Sequence, residues 1–214
     1  MKKEQIIEDI KNRIVTGQIP QGAWLTERGL CEEYGISRTP VREIIWNLSQ
    51  LNVVEITAER GCMVRKFSVN DIIEVYNARE AIEGECARLA CLSRDNDLDG
   101  RIAELKKKLE SLSAYEDVKA CMAVGQKVHH LLLEKANNRY LETFNQSIVT
   151  VTGIIRNMTS AHEELEEQSR LGHIEILDAL SRRDENACAE ATRRHLRNAC
   201  KAMVAYSCNQ MLGE

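Results

Sequence analysis

Apolar residues recur at helical spacing along most of the chain, and short alternating stretches occur only near its beginning. The first part predicts three helices and then two strands, over about 4–16, 27–34, 38–51, 53–56 and 62–66. Thr26 and Ser37 stand where a side-chain oxygen would cap the second and third helices. Three helices followed by a β-hairpin form the plan of a winged helix-turn-helix.

Beyond residue 67 the pattern is helical throughout. Six further helices are predicted, over about 71–91, 98–113, 115–137, 139–161, 163–182 and 185–209. Both prolines lie in the first 40 residues, which favours long helices joined by short turns afterwards. We therefore predict a mainly α-helical chain with a winged helix-turn-helix over 1–67 and an all-α antiparallel bundle over 68–214.

Composition excludes several classes of protein. The 214 residues are 43% hydrophobic with a net charge of −4, which argues against a disordered chain. No apolar run approaches the ~18 residues of a membrane span, and the N-terminus lacks the apolar core of a signal peptide, so a cytoplasmic protein without a membrane partner is expected. The eight cysteines include no CxxC pair, which favours reduced thiols over a zinc ribbon or disulfides.

The start of the third predicted helix carries the most chemical information. The segment Gly35-Ile-Ser-Arg-Thr-Pro-Val-Arg-Glu43 exposes Arg38, Thr39 and Arg42 on its first turns. Two arginines and a hydroxyl at a helix N-terminus suit phosphate anchoring and base-edge contacts in the major groove of double-stranded DNA. The alternative is an ordinary solvated helix. The acidity of the whole chain does not oppose DNA binding, because only the local face must be positive.

The motif Ser37-Arg-Thr-Pro-Val-Arg-Glu43 lies between Leu25-Thr-Glu-Arg28 and Arg60-Gly61, and with them it resembles the GntR family of bacterial transcriptional regulators. The resemblance covers the first domain. It implies that operator DNA, an inverted repeat bound by a homodimer, is contacted by Arg28, Arg38, Thr39 and Arg42, while Gly61 shapes the wing. Ser37 at the helix start and Arg60 at the wing tip complete the predicted DNA-binding set.

Three of the five histidines fall on apolar helix faces, namely His129, His173 and His195. Residue 184, midway between the last two, lies in the polar turn between their helices, so a hairpin would place the two imidazoles level with each other. Three inward imidazoles without evident acid partners favour a shared divalent metal, Zn²⁺ above all. The alternative is three satisfied core histidines.

Arg79 lies within the apolar stripe of the helix that begins near residue 71. A buried guanidinium needs an anion. Two partners are open, either Glu83 one turn further along or the carboxylate of a small effector in a cavity.

The second domain resembles the FCD ligand-binding domain found in the FadR-like branch of the same family. The resemblance rests on the order of Arg79…Glu83, Val128-His129, Ala136-Asn-Asn138, His173 and Arg194-His195-Leu196. It implies an Asp/His/His/His metal site, with Arg79 and Asn138 binding the effector. The aspartate position is Gly125 here, which has no ligating side chain, so a metal is expected to bind weakly with open positions or to be absent.

The sequence therefore predicts a DNA-binding regulator, expected to be a repressor, whose operator affinity is controlled by a small carboxylate metabolite. A regulator for which the metal itself is the signal is the alternative. A three-histidine metallohydrolase is a more distant one, since the chain has no HExxH motif and no evident general base. No enzymatic activity is expected.

Overall fold

The computed structural model describes residues 2–57, 61–158 and 162–212, and within these ranges it contains nine helices and three short strands. In chain order the elements are α1 (Lys3–Val15), β1 (Trp24–Leu25), α2 (Glu27–Tyr34), α3 (Arg38–Gln50), β2 (Val54–Thr57), β3 (Gly61–Val64), α4 (Val69–Ala90), α5 (Leu98–Glu110), α6 (Ala114–Ala136), α7 (Arg139–Met158), α8 (Glu163–Ser181) and α9 (Glu185–Leu212). The predicted fold class, a winged helix-turn-helix followed by a helical region, is confirmed.

One strand was not predicted. The two residues of β1 pair antiparallel with β3, so the sheet has three strands in the order β1-β3-β2. In the predicted hairpin, Val54 lies opposite Val64 and Thr57 opposite Gly61. A strand of two residues has no periodicity to detect, which is why the sequence pattern did not predict it.

The caps of the two helices that form the helix-turn-helix differ. Thr26 caps α2 as predicted, because its side-chain oxygen accepts a hydrogen bond from the Gly29 amide at 3.0 Å. Gly35 ends the helix in the left-handed conformation at φ 64. The predicted capping bond of Ser37 is wrong: the residue precedes α3 in an extended conformation, but its side chain makes no capping hydrogen bond.

The described residues group into two compact units. The first contains Met1–Asp71 and Gln146–Met158, and the second contains Ile72–Asn145 and Thr159–Glu214. The first break falls at Asp71, a few residues after the predicted boundary, and the C-terminal part of α7 belongs to the first unit. There Val151, Ile154 and Ile155 are buried. Periodicity locates a helix but not the unit against which it packs.

The second unit has its core between α5, α6, α8 and α9, where α8 packs against the other three. The fully buried large side chains in this core include Leu98, Leu109, Leu131, Leu132, Ile176, Leu177 and Leu180. The cysteines of the chain are free thiols, and five of them are buried. Within the described ranges no helix has both the length and the apolar character needed to cross a membrane.

We expect Gly61→Ala to lower the free energy of unfolding of the first unit by about 1–3 kcal/mol. Gly61 has φ 97, and a Cβ there would lie 2.5 Å from the carbonyl oxygen of Leu25 and 3.2 Å from Cα of Thr26. The backbone of β1 would therefore have to move. Both tryptophans of the chain, at 24 and 46, belong to this unit, so their fluorescence during a urea titration reports its unfolding.

Gly35→Ala is the matched control for this prediction. Gly35 also has a positive φ, but a Cβ there would meet no atom within 4 Å. Its replacement should cost only the left-handed backbone penalty of about 1 kcal/mol. Equal losses for the two variants would contradict the steric role of Gly61.

Candidate functional site

The exposed face of α3 carries the predicted DNA-binding residues. Arg38, Thr39 and Arg42 are exposed, while the opposite face is buried through Val41, Ile44, Ile45 and Leu48. Because the buried positions recur every three to four residues, the polar side chains are held on one solvent-facing surface. The α3 residues of the predicted set thus share one face, and Arg28 on α2 is exposed as well.

Two of these arginines have acidic partners that the sequence analysis did not identify. Nε of Arg42 donates to Oε1 of Glu27 at 2.8 Å, and Nε of Arg28 donates to Oε1 of Glu32 at 2.7 Å. Both arginines are mostly exposed, and ion pairs of this kind contribute about 0–1 kcal/mol. These pairs can therefore be exchanged for contacts with an incoming anion at low cost. No local signal links Glu27 to Arg42, which lies on another helix.

A groove runs along this face of the first unit. It is lined by Arg28, Arg38 and Arg42 together with Gly61, and also by four apolar side chains that were not predicted as site residues, Trp24, Ile45, Trp46 and Ile56. The predicted wing-tip residue, Arg60, lies outside the described residues. Trp46 was detectable in the sequence, because it follows Arg42 by one helical turn.

The three inward histidines meet in the second unit. The ring centroids of His173 and His195 are 4.3 Å apart, as expected for a hairpin centred on residue 184, and His129 lies 5.0 Å and 5.3 Å from them. The Nε2 atoms of His129 and His173 are 3.1 Å apart. One candidate ligand atom from each ring can be chosen so that all three lie within 4.8 Å of one another. His173 and His195 are buried and His129 is nearly so.

Two glycines make room for these rings. A Cβ at Gly125 on α6 would lie 2.9 Å from Nδ1 and 3.1 Å from Nε2 of His173, and a Cβ at Gly172 on α8 would lie 2.7 Å from Nδ1 of His195. Both contacts are too close for a real side chain. An aspartate at position 125 therefore cannot coexist with the present position of His173. A glycine inside a predicted helix is the sequence signal for such a close approach.

The expectation that the histidines lack an acid partner is wrong. Glu83 on α4 is buried, its Oε2 lies 2.6 Å from Nδ1 of His129, and its Oε1 accepts from Nε of Arg79 at 2.6 Å. Burial by itself would raise the pKa of Glu83, but the charges of Arg79 and His129 outweigh it and hold the pKa well below its ordinary value. Glu83, one of the two partners considered for Arg79, therefore pairs with it in the structure.

The remaining polar candidates have ordinary surroundings. Oδ1 of Asn138, the second predicted effector-binding residue, accepts hydrogen bonds from the amides of Tyr140 and Leu141 and so caps α7. His130 and His162 are exposed.

Two family models match successive parts of the chain. Residues 2–64 match the family model of bacterial regulatory proteins of the gntR family, and residues 74–198 match that of the FCD domain. The transcriptional repressor RspR of Escherichia coli is 26% identical over 209 residues, which cover 94% of this chain and 88% of the repressor. The Nta operon transcriptional regulator of Aminobacter aminovorans is 24% identical over 177 residues, covering 82% and 81%.

Solved structures share the same fold. McbR/YncC of Escherichia coli aligns with a TM-score of 0.78 at 20% identity, covering 96% of this chain and 98% of the other. A GntR regulator from Rhodococcus sp. RHA1 aligns with a TM-score of 0.74 at 22% identity, covering 95% and 97%. At these identities the structures support the fold alone, while the family models cover the sequence of both units. The chain therefore belongs to the GntR family of bacterial transcriptional regulators and carries an FCD domain as its second module.

Proposed function

We propose that this regulator is a homodimeric repressor of an inverted-repeat operator, and that a small carboxylate metabolite bound at a divalent metal in the FCD domain controls its affinity for DNA. The observation that carries the proposal is the meeting of His129, His173 and His195 inside the second unit. The exposed arginine face of α3 supplies the DNA-binding half of the proposal.

On the DNA side, Arg38 and Arg42 read base edges in the major groove. Arg28, Ser37 and Thr39 bind phosphates beside them. Their exposure supports these roles, and an exposed helix N-terminus suits an anion. Glu27 occupies Nε of Arg42 and leaves the two terminal nitrogens of the guanidinium for a bidentate contact with guanine. A twofold symmetric dimer requires an operator with matching symmetry.

On the ligand side, the proposal of Zn²⁺ or a similar metal is supported by three imidazoles whose candidate ligand atoms lie within 4.8 Å of one another. Nitrogens that bind one zinc ion at about 2.0–2.1 Å with a tetrahedral angle lie about 3.3–3.4 Å apart, close to the 3.1 Å between Nε2 of His129 and of His173. Glu83 behind His129 is the kind of carboxylate that orients a ligating imidazole and raises its basicity. The bound metal would supply the positive charge that attracts a carboxylate effector, and a set of three protein ligands would leave a coordination position open.

Arg79 supports this site through Glu83. Its guanidinium is buried with that carboxylate and fixes the oxygen that is not directed at His129. Direct contact between the effector and Arg79 or Asn138 stays a prediction. Effector control requires only that the effector bind the two DNA-affinity states of the dimer unequally.

The metal as the signal is the second candidate, favoured by the closeness of three protein donors, because three protein ligands can hold a metal by themselves. Thermal unfolding separates the two candidates, because a ligand that binds the native state raises the melting temperature. Under the leading proposal, zinc and a carboxylate together raise it more than zinc alone. If the metal is the signal, carboxylates do not raise the melting temperature beyond the value in zinc alone, and zinc alone changes the affinity for the operator.

We expect Arg38→Ala and Arg42→Ala each to weaken operator binding by about 1–3 kcal/mol, because each would remove a bidentate base contact. Fluorescence anisotropy at fixed salt with an operator selected from random DNA provides the measurement. Arg38→Lys should lose most of the sequence preference while keeping phosphate affinity, since lysine lacks the bidentate geometry.

Arg194→Ala is the control for the arginine variants. Arg194 is about half exposed and paired with Glu175, and its removal changes the net charge by the same amount. It should leave the affinity for the operator unchanged. Equal losses in Arg38→Ala and Arg194→Ala would show that the assignment of α3 is wrong.

We expect wild-type protein prepared without chelator to bind about one Zn²⁺ per chain. The double variant His173→Ala, His195→Ala should bind none. Glu83→Gln should weaken zinc binding about 10–100-fold, because the carboxylate orients His129. Competition with a zinc-binding dye measures both. His130→Ala is the matched control, since the exposed His130 directly follows His129, and it should bind zinc like wild type. If the wild type binds no zinc even after zinc is added, the three histidines are ordinary core residues.

We expect Gly125→Ala to destabilise the metal-free second unit by about 1–3 kcal/mol, because the new methyl group overlaps the ring of His173. In a His173→Ala background most of this loss should disappear, which helical circular dichroism during urea unfolding can measure. Gly100→Ala on α5 is the control: a Cβ there meets nothing within 4 Å, so stability should be unchanged or slightly higher. The same loss in both backgrounds would contradict the steric explanation.

A further inference from the structure

The distribution of tryptophan in this chain is unusual. Aromatic residues make up only 4% of the chain, and its two tryptophans, Trp24 and Trp46, both line the arginine-bearing groove. Trp46 is 59% exposed and Trp24 is 45% exposed. Large aromatic side chains are on average highly buried. Exposed apolar groups that lie together usually mark a binding surface.

Trp46 belongs to the same column of α3 as the two predicted base-reading arginines. Arg38, Arg42 and Trp46 follow one another at intervals of four residues, which places them on one helix face. The neighbouring side chain on the sheet is Ile56 of β2, which is 51% exposed and lines the same groove. The cationic surface thus continues into an apolar patch formed by Trp46 and Ile56.

The combination selects one kind of partner. Arginines alone would suit any phosphate polymer, and an apolar patch alone would suit another protein. A helix that presents both on one column matches the major groove of DNA, where phosphates flank the base edges and the C5-methyl group of thymine is apolar. The charge of Arg38 and Arg42, beside the apolar patch, favours DNA over a protein surface.

We propose that Trp46 is a specificity-determining residue that packs on the C5-methyl group of a thymine in each operator half-site. The inference rests on the proposed DNA-binding role of α3 and adds to it the base that its C-terminal half recognises. Four residues of helix span about 6 Å, and base pairs are spaced about 3.4 Å apart. The thymine therefore lies about two base pairs from the position contacted by Arg42.

The test removes the methyl group without changing base pairing. An operator selected with the full-length protein is resynthesised with deoxyuridine in place of each thymine in turn, and the dissociation constant is measured by fluorescence anisotropy at fixed salt. Wild type should lose about fourfold in affinity at one thymine per half-site, which corresponds to the burial of one methyl group. Substitution of the other thymines should leave the dissociation constant unchanged.

Trp46→Gln should bind the thymine and deoxyuridine operators equally at that position. Because Trp46 is exposed, the variant should fold, and helical circular dichroism checks this. Tyr115→Gln is the matched control, because Tyr115 on α6 is 59% exposed like Trp46 but does not line the groove, and it should keep the fourfold difference. Trp24→Phe leaves Trp46 as the single tryptophan emitter, so the fluorescence of this variant should change when the operator binds.

The outcomes separate this inference from the function on which it rests. If wild type binds the operator but no deoxyuridine substitution matters, or if Trp46→Gln keeps the wild-type difference, the inference is overturned and the patch contacts a protein or the sugar backbone instead. If wild type selects no DNA sequence at all, the proposed DNA-binding function fails, and the inference fails with it.

Discussion

Placing three imidazoles and a carboxylate in the interior of a helical unit carries a desolvation cost that polar contacts must offset. Glu83 is central to this arrangement, because one of its oxygens accepts from Arg79 and the other lies against His129. His129 in turn approaches His173. The second unit therefore contains a continuous chain of polar contacts from α4 through α6 to α8.

Space is the second constraint on this cluster. The rings of His173 and His195 occupy volume that a side chain at Gly125 or at Gly172 would fill. The resemblance to the FCD domain places an aspartate ligand at position 125, but the glycine in this chain admits an imidazole ring instead. The departure from the family pattern is thus a change of shape as well as a lost ligand.

The recognition face of the first unit follows the opposite physical rule. Its arginines are exposed, and the pairs that Arg42 and Arg28 form with neighbouring glutamates are weak in water. Such pairs orient the charged side chains but are weak enough to be replaced by contacts with a partner. One chain thus combines a buried polar cluster, in which every contact is costly to remove, with an exposed surface whose contacts are readily exchanged for those of a partner.

The sequence by itself determined the features that depend on local periodicity. The helices, the cap at Thr26, the exposed face of α3 and the level placement of His173 and His195 all follow from spacing along one or two adjacent elements. Tertiary structure alone decided the contact of Glu83 with His129, the role of Gly125, strand β1 and the assignment of part of α7 to the first unit. These join positions far apart in the chain, and such pairings depend on how the helices pack, which leaves no regular period in the sequence.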